Sequence, residues 1–137
     1  MPQVDIEQIT QELTWQLRRD ILYPSEYKHN MAMPEDDHGT HFGAFVEGKL
    51  AGVVSLFNTG ADFQFRKFAI DAPMQGKGVG VRLLQYITDY AIENGGKRLW
   101  CNARDTATGF YAKAGFAETG ETFSKSGFNY VIMEKAI

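Results

Sequence analysis

Residues 75–80, Gln75-Gly76-Lys77-Gly78-Val79-Gly80, place three glycines at alternate positions between an apolar stretch and an amphipathic one. Glycine lets the backbone adopt left-handed dihedrals and approach a bulky anion closely. The helix that the pattern predicts from about Gly78 or Val79 aims free N–H groups, and the positive end of its dipole, into the same loop. A strand, a glycine loop and a helix start in that order make a cradle for a pyrophosphate. Two common phosphate motifs do not fit. A P-loop needs Ser or Thr directly after Gly-Lys, whereas Lys77 is followed by Gly78. The dinucleotide pattern G-x-G-x-x-G fails because Val81 stands three residues past Gly78. The other reading of the spacing is a glycine-rich turn with no ligand.

Such a loop must be held by a strand before it and a helix after it, and the periodicity predicts both. Residues 63–70 read as a strand, and Val79, Leu83, Ile87 and Ala91 define an amphipathic helix that Gly95-Gly96 ends. Upstream, residues 3–9 read as a short strand. Leu13, Leu17 and Ile21 then recur every four residues on one helical face, with Thr10 as N-cap and Pro24 as the stop. Residues 25–40 are polar and irregular. Residues 41–46 and 50–57 read as strands of a hairpin turned at Glu47-Gly48-Lys49. Downstream, a strand over 98–103 leads to a helix capped by Asp105 and running through Ala114. Strands near 116–122 and 128–135 follow. This intermingling predicts a mixed α/β sheet covered by helices, in one domain over residues 1–137.

Bulk composition narrows the classes. A chain of 137 residues with 44% hydrophobic and 23% charged residues can bury a core without metal or disulfide support. A net charge of -3 and the lack of a Lys/Arg run argue against nucleic acid as partner. Cys101 is the only cysteine, which excludes an internal disulfide and suits a reducing compartment. The first residues lack the basic start and apolar stretch of a signal peptide, and no apolar run approaches membrane length. The expectation is a soluble cytoplasmic protein with no membrane partner.

The loop at Gln75–Gly80 matches the pattern Q/R-x-x-G-x-G/A throughout, and a second segment, Leu99 through Phe116, ends in Phe110-Tyr111-Ala112-Lys113-Ala114-Gly115-Phe116. On these two motifs, which together span roughly residues 63–120, the chain resembles the GNAT superfamily of acetyl-CoA-dependent N-acetyltransferases. The resemblance implies the GNAT fold, a predominantly antiparallel mixed sheet flanked by helices. It implies acetyl-CoA as co-substrate and, as acceptor, a small-molecule amine or a protein amino group. Homodimers are common in the family. Backbone amides of Gln75, Gly76, Lys77, Gly78, Val79 and Gly80 would hold the pyrophosphate. The strand Phe68-Ala69-Ile70 would pair with the pantetheine arm, and the Ile70 amide would polarise the thioester carbonyl. Asn102, Ala107 and Phe110 would border the cofactor, and Tyr111 would protonate the departing thiolate. A tyrosine hydroxyl has a suitable pKa for that donation; the alternative is a core aromatic with its hydroxyl at the surface.

The match leaves the general base open. Many relatives carry a glutamate about six residues before the position of Ile70, where this chain has Gln64, which cannot take a proton. A water relay is one solution. His38 and His41, near Asp36 and Asp37, are other candidates with suitable pKa values. As a metal site these residues lack fixed ligand geometry, and a solvated acidic loop is the bland reading. Cys101 reads as a small buried residue. Arg18, Arg19, Tyr23 and Tyr27 occupy a region that often borders the acceptor pocket in the family, or else a solvated helix face. The alternative to an enzyme is a non-catalytic acyl-CoA sensor of the same fold; Tyr111 argues against it and Gln64 for it. An interaction domain without ligand leaves the paired motifs unexplained.

Overall fold

Seven strands form: β1 (Asp5–Ile9), β2 (Thr40–Val46), β3 (Lys49–Thr59), β4 (Asp62–Ile70), β5 (Arg98–Arg104), β6 (Ala117–Lys125) and β7 (Phe128–Ala136). The computed structural model describes residues 2–137 and joins these strands in one sheet of order β1-β2-β3-β4-β5-β7-β6. Every pairing is antiparallel except β4 with β5. In β3, residues 51–56 are buried without a break, as expected where both faces of a sheet are covered.

On one face lie α2 (Val79–Glu93) and the short α3 (Thr108–Lys113). The stripe Val79, Leu83, Ile87 and Ala91 of α2 is fully buried against Phe42, Phe63 and Phe65. Gly95, at φ 83°, ends α2 in the left-handed conformation that glycine tolerates. Asp105 does not cap α3. It opens a 3₁₀ turn, Asp105–Ala107, and its carbonyl accepts a bond from Thr108 Oγ1 at 3.4 Å.

The opposite face is covered by a helical stretch of changing pitch. A 3₁₀ turn (Gln11–Thr14) leads into one α-turn, α1 (Trp15–Leu17), and then a π-helical segment (Arg18–Leu22). The predicted four-residue stripe therefore does not hold. Leu13 is 52% exposed, whereas Thr14, Leu17 and Arg18 turn inward. Winding at three residues per turn and then more than four rotates each side chain away from its α-helical place. Thr10 makes no side-chain cap; only its carbonyl accepts, from Leu13 N at 3.2 Å.

Arg18 carries a fully buried guanidinium. It donates to both Asp36 carboxylate oxygens at 2.8 and 2.9 Å, to the Met31 carbonyl at 2.9 Å and to Ser55 Oγ at 2.8 Å. Asp36 lies in one of two 3₁₀ turns, Lys28–Met31 and Pro34–His38, that order the polar segment read as irregular. Burial alone would raise the Asp36 carboxyl. The bonds from Arg18 and from the Met33 N–H outweigh it and hold the group below the usual carboxylate range. His41, also buried, has Nδ1 at 2.6 Å from Ser55 Oγ and Nε2 at 2.9 Å from the Asp36 carbonyl. Since the Asp36 carbonyl can only accept, it is Nε2 that donates to it.

Asp36→Ala strands the Arg18 charge inside the protein, and urea unfolding is expected to record a loss of about 3–5 kcal/mol. A loss below about 1 kcal/mol would put the pair on a par with exposed ones and refute its role in holding the N-terminal segment.

Candidate active site

The parallel ladder between β4 and β5 is short. It pairs Asp62 with Arg98, Phe63 with Leu99 and Gln64 with Trp100, and then ends. Past that point β4 bulges: residues 66 to 69 lie opposite residues 55 to 53 of β3, one residue more on the β4 side. Lys67, within the bulge, adopts a left-handed φ of 56°. Between the parted strands lies a cavity of about 460 Å³. Its walls come from 65–68 of β4 and 101–104 of β5, from α3, from the end of the π-helical segment and from the β6–β7 hairpin.

Hydrogen-bond phase decides which backbone groups face this gap. The Asp71 N–H donates to the Ala51 carbonyl at 2.8 Å, so residue 71 faces β3. In an antiparallel ladder such residues alternate, which turns Ala69 to β3, opposite Val53, and Ile70 the other way. Ile70 thus directs its N–H and C=O into the gap. Its carbonyl accepts from Gln75 Nε2 at 2.9 Å. The N–H has no neighbouring strand to receive it.

At the mouth of the gap, a 3₁₀ turn (Ala72–Met74) leads through Gln75 to Gly76 at φ 75° and Gly78 at φ 85°. Beside Gly76 a side chain would meet nothing within 4 Å, so that face of the loop is open. Fully buried Val79 anchors the start of α2. The first helical bond is that of Arg82 N to the Gly78 carbonyl at 3.1 Å, leaving the N–H groups of Val79, Gly80 and Val81 without helical partners. Gly80 has a different reason to be glycine. A Cβ there would come within 3.3 Å of Phe110, 3.4 Å of Ile70 and 3.5 Å of Phe68. Lys77 is exposed.

Tyr111 sits on α3 with its ring centroid 5.6 Å from that of Phe65 and 5.2 Å from that of Phe110. It lines the cavity, and burial, with Cys101 as a lesser cause, pushes its hydroxyl above the usual tyrosine range. Cys101 lines the same wall, and burial pushes its thiol up to about 12. Asn102 and Ala107 also reach the cavity. Phe110 instead packs on Phe68, at 5.8 Å, and lines a second groove of about 320 Å³ between α2 and α3.

The candidate bases separate from this site. His41 is committed to Ser55 and Asp36, and neither it nor His38 lines the cavity. Gln64 stands where the β4–β5 ladder ends and is not on the cavity wall. Of the residues placed near an acceptor, only Tyr23 lines the cavity. Arg18 is buried in its network, Arg19 bonds Asp20 and the Glu26 carbonyl, and Tyr27 is 74% exposed. Sequence reasoning missed Lys67 and Arg104. Lys67 Nζ donates to Tyr23 Oη at 2.8 Å, and burial, reinforced by Arg66, lowers its pKa to about 8. Arg104 donates to the Leu22 carbonyl at 2.7 Å and lies 3.7 Å above the Phe128 ring. A lysine in a left-handed bulge carries no sequence signal, because glycine is the residue expected there.

Known proteins share this fold. A family model described as an acetyltransferase (GNAT) domain matches residues 6–137. The uncharacterized N-acetyltransferase YitI of Bacillus subtilis strain 168 is 28% identical over 144 residues, covering 98% of this chain and 97% of its own length. The IAA acetyltransferase from Bacillus cereus ATCC 14579 has a similar fold, with TM-score 0.82, 22% identity, and coverage of 98% of this chain and 100% of the other. A GNAT family acetyltransferase from Elizabethkingia anophelis with acetyl-CoA bound is similar at TM-score 0.77 and 18% identity, over 98% of each chain. Matched over residues 6–137, and built on a mixed sheet whose two middle strands part around a cavity, the chain belongs to the GNAT acetyltransferase family and is an acyltransferase.

Proposed function

We propose that the protein transfers the acetyl group of acetyl-CoA to the primary amine of an acceptor by direct attack. The observation that carries this reading is the parting of β4 from β5 around a cavity lined by Gln75 and Tyr111, with the ladder phase of β4 turning the Ile70 N–H away from β3. The free N–H groups at the start of α2 and the open face at Gly76 suit a pyrophosphate. Acetyl-CoA, when bound, supplies the thioester. Ile70 then donates its N–H to the thioester oxygen as negative charge develops there. The amine nitrogen forms the new C–N bond, the C–S bond breaks, and the nitrogen gives up one proton. Tyr111 offers its hydroxyl to the departing sulfur. Burial makes this phenol a weaker acid, but the neighbouring Cys101, held at about 12, indicates that a sulfur anion on this wall is also more basic.

Attack requires a neutral amine, and among the described residues no carboxylate or histidine lines the cavity. The cationic surroundings take over part of that task. Burial and then Arg66 lower the Lys67 ammonium to about 8, and an acceptor ammonium placed beside it would meet similar desolvation and repulsion from the same arginines. Water then suffices to carry the proton away.

The basic test follows free CoA during incubation of acetyl-CoA with a panel of amines; no thiol release above the buffer rate with any amine would refute acetyl transfer. Tyr111→Phe is expected to lower kcat by roughly 10²-fold with little change in acetyl-CoA affinity. An unimpaired variant, with chemistry shown to limit the rate, would return Tyr111 to a packing role. Calorimetry should find acetyl-CoA binding lost in Gly78→Glu and largely kept in Gly78→Ala, which imposes the same backbone strain without the bulk or charge. Equal affinities in the two would remove the pyrophosphate from this loop. Finally, kcat/KM should rise with pH as the acceptor ammonium deprotonates, and the rising limb should move when an acceptor of different pKa is used. A limb fixed near about 6.5 that His38→Ala abolishes would identify a histidine base instead.

A further inference from the structure

The charges around the cavity are sorted. Its walls carry Arg66, Lys67, Arg104 and Lys125, and no Asp or Glu, in a protein whose net charge is -3. Only Arg66 has a carboxylate partner among the described residues, Glu35 at 3.2 Å on the outer surface. Lys67 is bound instead to the neutral Tyr23 hydroxyl, and Arg104 to a backbone carbonyl. Three cationic groups from three different elements therefore line one cavity whose walls carry no carboxylate: β4 brings Lys67, β5 Arg104 and β6 the exposed Lys125. Like charges brought together in this way cost free energy unless an anion joins them.

The glycines at 76, 78 and 80 are not on this cavity's walls, where the cations stand with Leu22, Tyr23, Phe123 and Tyr130. Tyr23 meets Phe128 edge-on at 6.1 Å, and Phe123 stacks on Tyr130 at 5.0 Å. The pyrophosphate already has its own donors at the start of α2, so these cations remain for the acceptor. A polycationic amine would enter against the repulsion of all four. An amine whose own carboxylate reaches Lys67 and Arg104 supplies the missing counter-charge and lays an apolar body on the aromatic walls.

We infer that the acceptor is a small amine carrying a carboxylate on an apolar body, an amino acid in chemical class, held by Lys67, Arg104 and Lys125 around the parted ends of β4 and β5. This rests on the acetyl-transfer reading proposed above. Lys67, Arg104 and Lys125 position the acceptor, and Arg66, tied to Glu35, adds to the field.

The test compares amines with and without the carboxylate, phenylalanine with phenethylamine and leucine with isopentylamine, each kcat/KM referred to the neutral amine, with spermidine as the polycation. In the wild type, kcat/KM for each acid is expected to exceed that of its decarboxylated partner by about 10-fold or more, the scale of a charge-assisted contact. Lys67→Met should collapse this ratio, and Lys125→Glu should move the preference toward spermidine. Taking the ratio cancels any common effect of the substitutions on the fold or on amine ionisation. Decarboxylated amines or spermidine turned over as well as the acids, or ratios unmoved by both substitutions, would overturn the inference. If no amine releases CoA, the acetyl-transfer reading fails by itself, and acid recognition is then read by calorimetry on CoA-loaded protein. N-acetylphenylalanine should bind more tightly than N-acetylphenethylamine, and Lys67→Met should abolish the difference. Equal binding, or none by the acid, would refute it.

Discussion

The site depends on the parting of β4 from β5. A strand residue carries one N–H and one C=O that must find partners, and β3 satisfies only alternate residues of β4. The others look to β5, which stays within reach no farther than Gln64 opposite Trp100. The bulge at Lys67 then re-aims the remainder of β4. At Ile70 the debt is half settled, since Gln75 takes the carbonyl and leaves the N–H in the gap. The glycine loop follows from the end of the same strand, α2 aims its first turn at the loop, and α3 brings Tyr111 to the cavity wall.

The second constraint lies on the opposite face of the sheet. Arg18 ties the π-helical segment to the Pro34–His38 turn through Asp36, and to the sheet through Ser55. Ile21 and Leu22 at the end of that segment, with Tyr23 after it, form one wall of the cavity. A buried ion pair contributes little net stability compared with a well-packed apolar pair. Its directional bonds nevertheless restrict where that wall can stand. The non-α pitch of the segment reaches the same end, because it turns Arg18 inward where an ideal α-helix would have buried Leu13.

Much of the frame was legible. The α2 stripe and the glycine loop announce themselves because only certain residue types can occupy such positions: buried apolar groups on one side, left-handed φ at Gly76 and Gly78 on the other. The order of strands and helices could likewise be read from period alone. Reading failed where tertiary contacts overrode local preference. Arg18, Asp36 and His41 looked like a solvated face and an acidic loop, since charge is normally exposed; their burial depends on partners up to 37 residues apart. Lys67, Arg104 and Lys125 stand far from one another along the chain, so no local pattern marks them as one cluster. Asp105 had the right chemistry for a cap, but a 3₁₀ turn took its place.

Cys101 has a chemical meaning of its own. It shares with Tyr111 the wall of the cavity in which a thioester would react. An ionised thiol in that position would compete with any amine, capturing the acyl group by thioester exchange and leaving the protein acylated on sulfur. Burial forbids this by holding the thiol at about 12, so that almost none is thiolate at neutral pH. The apolar packing that makes Cys101 an ordinary core residue would thus also guard the protein against acylation on its own sulfur.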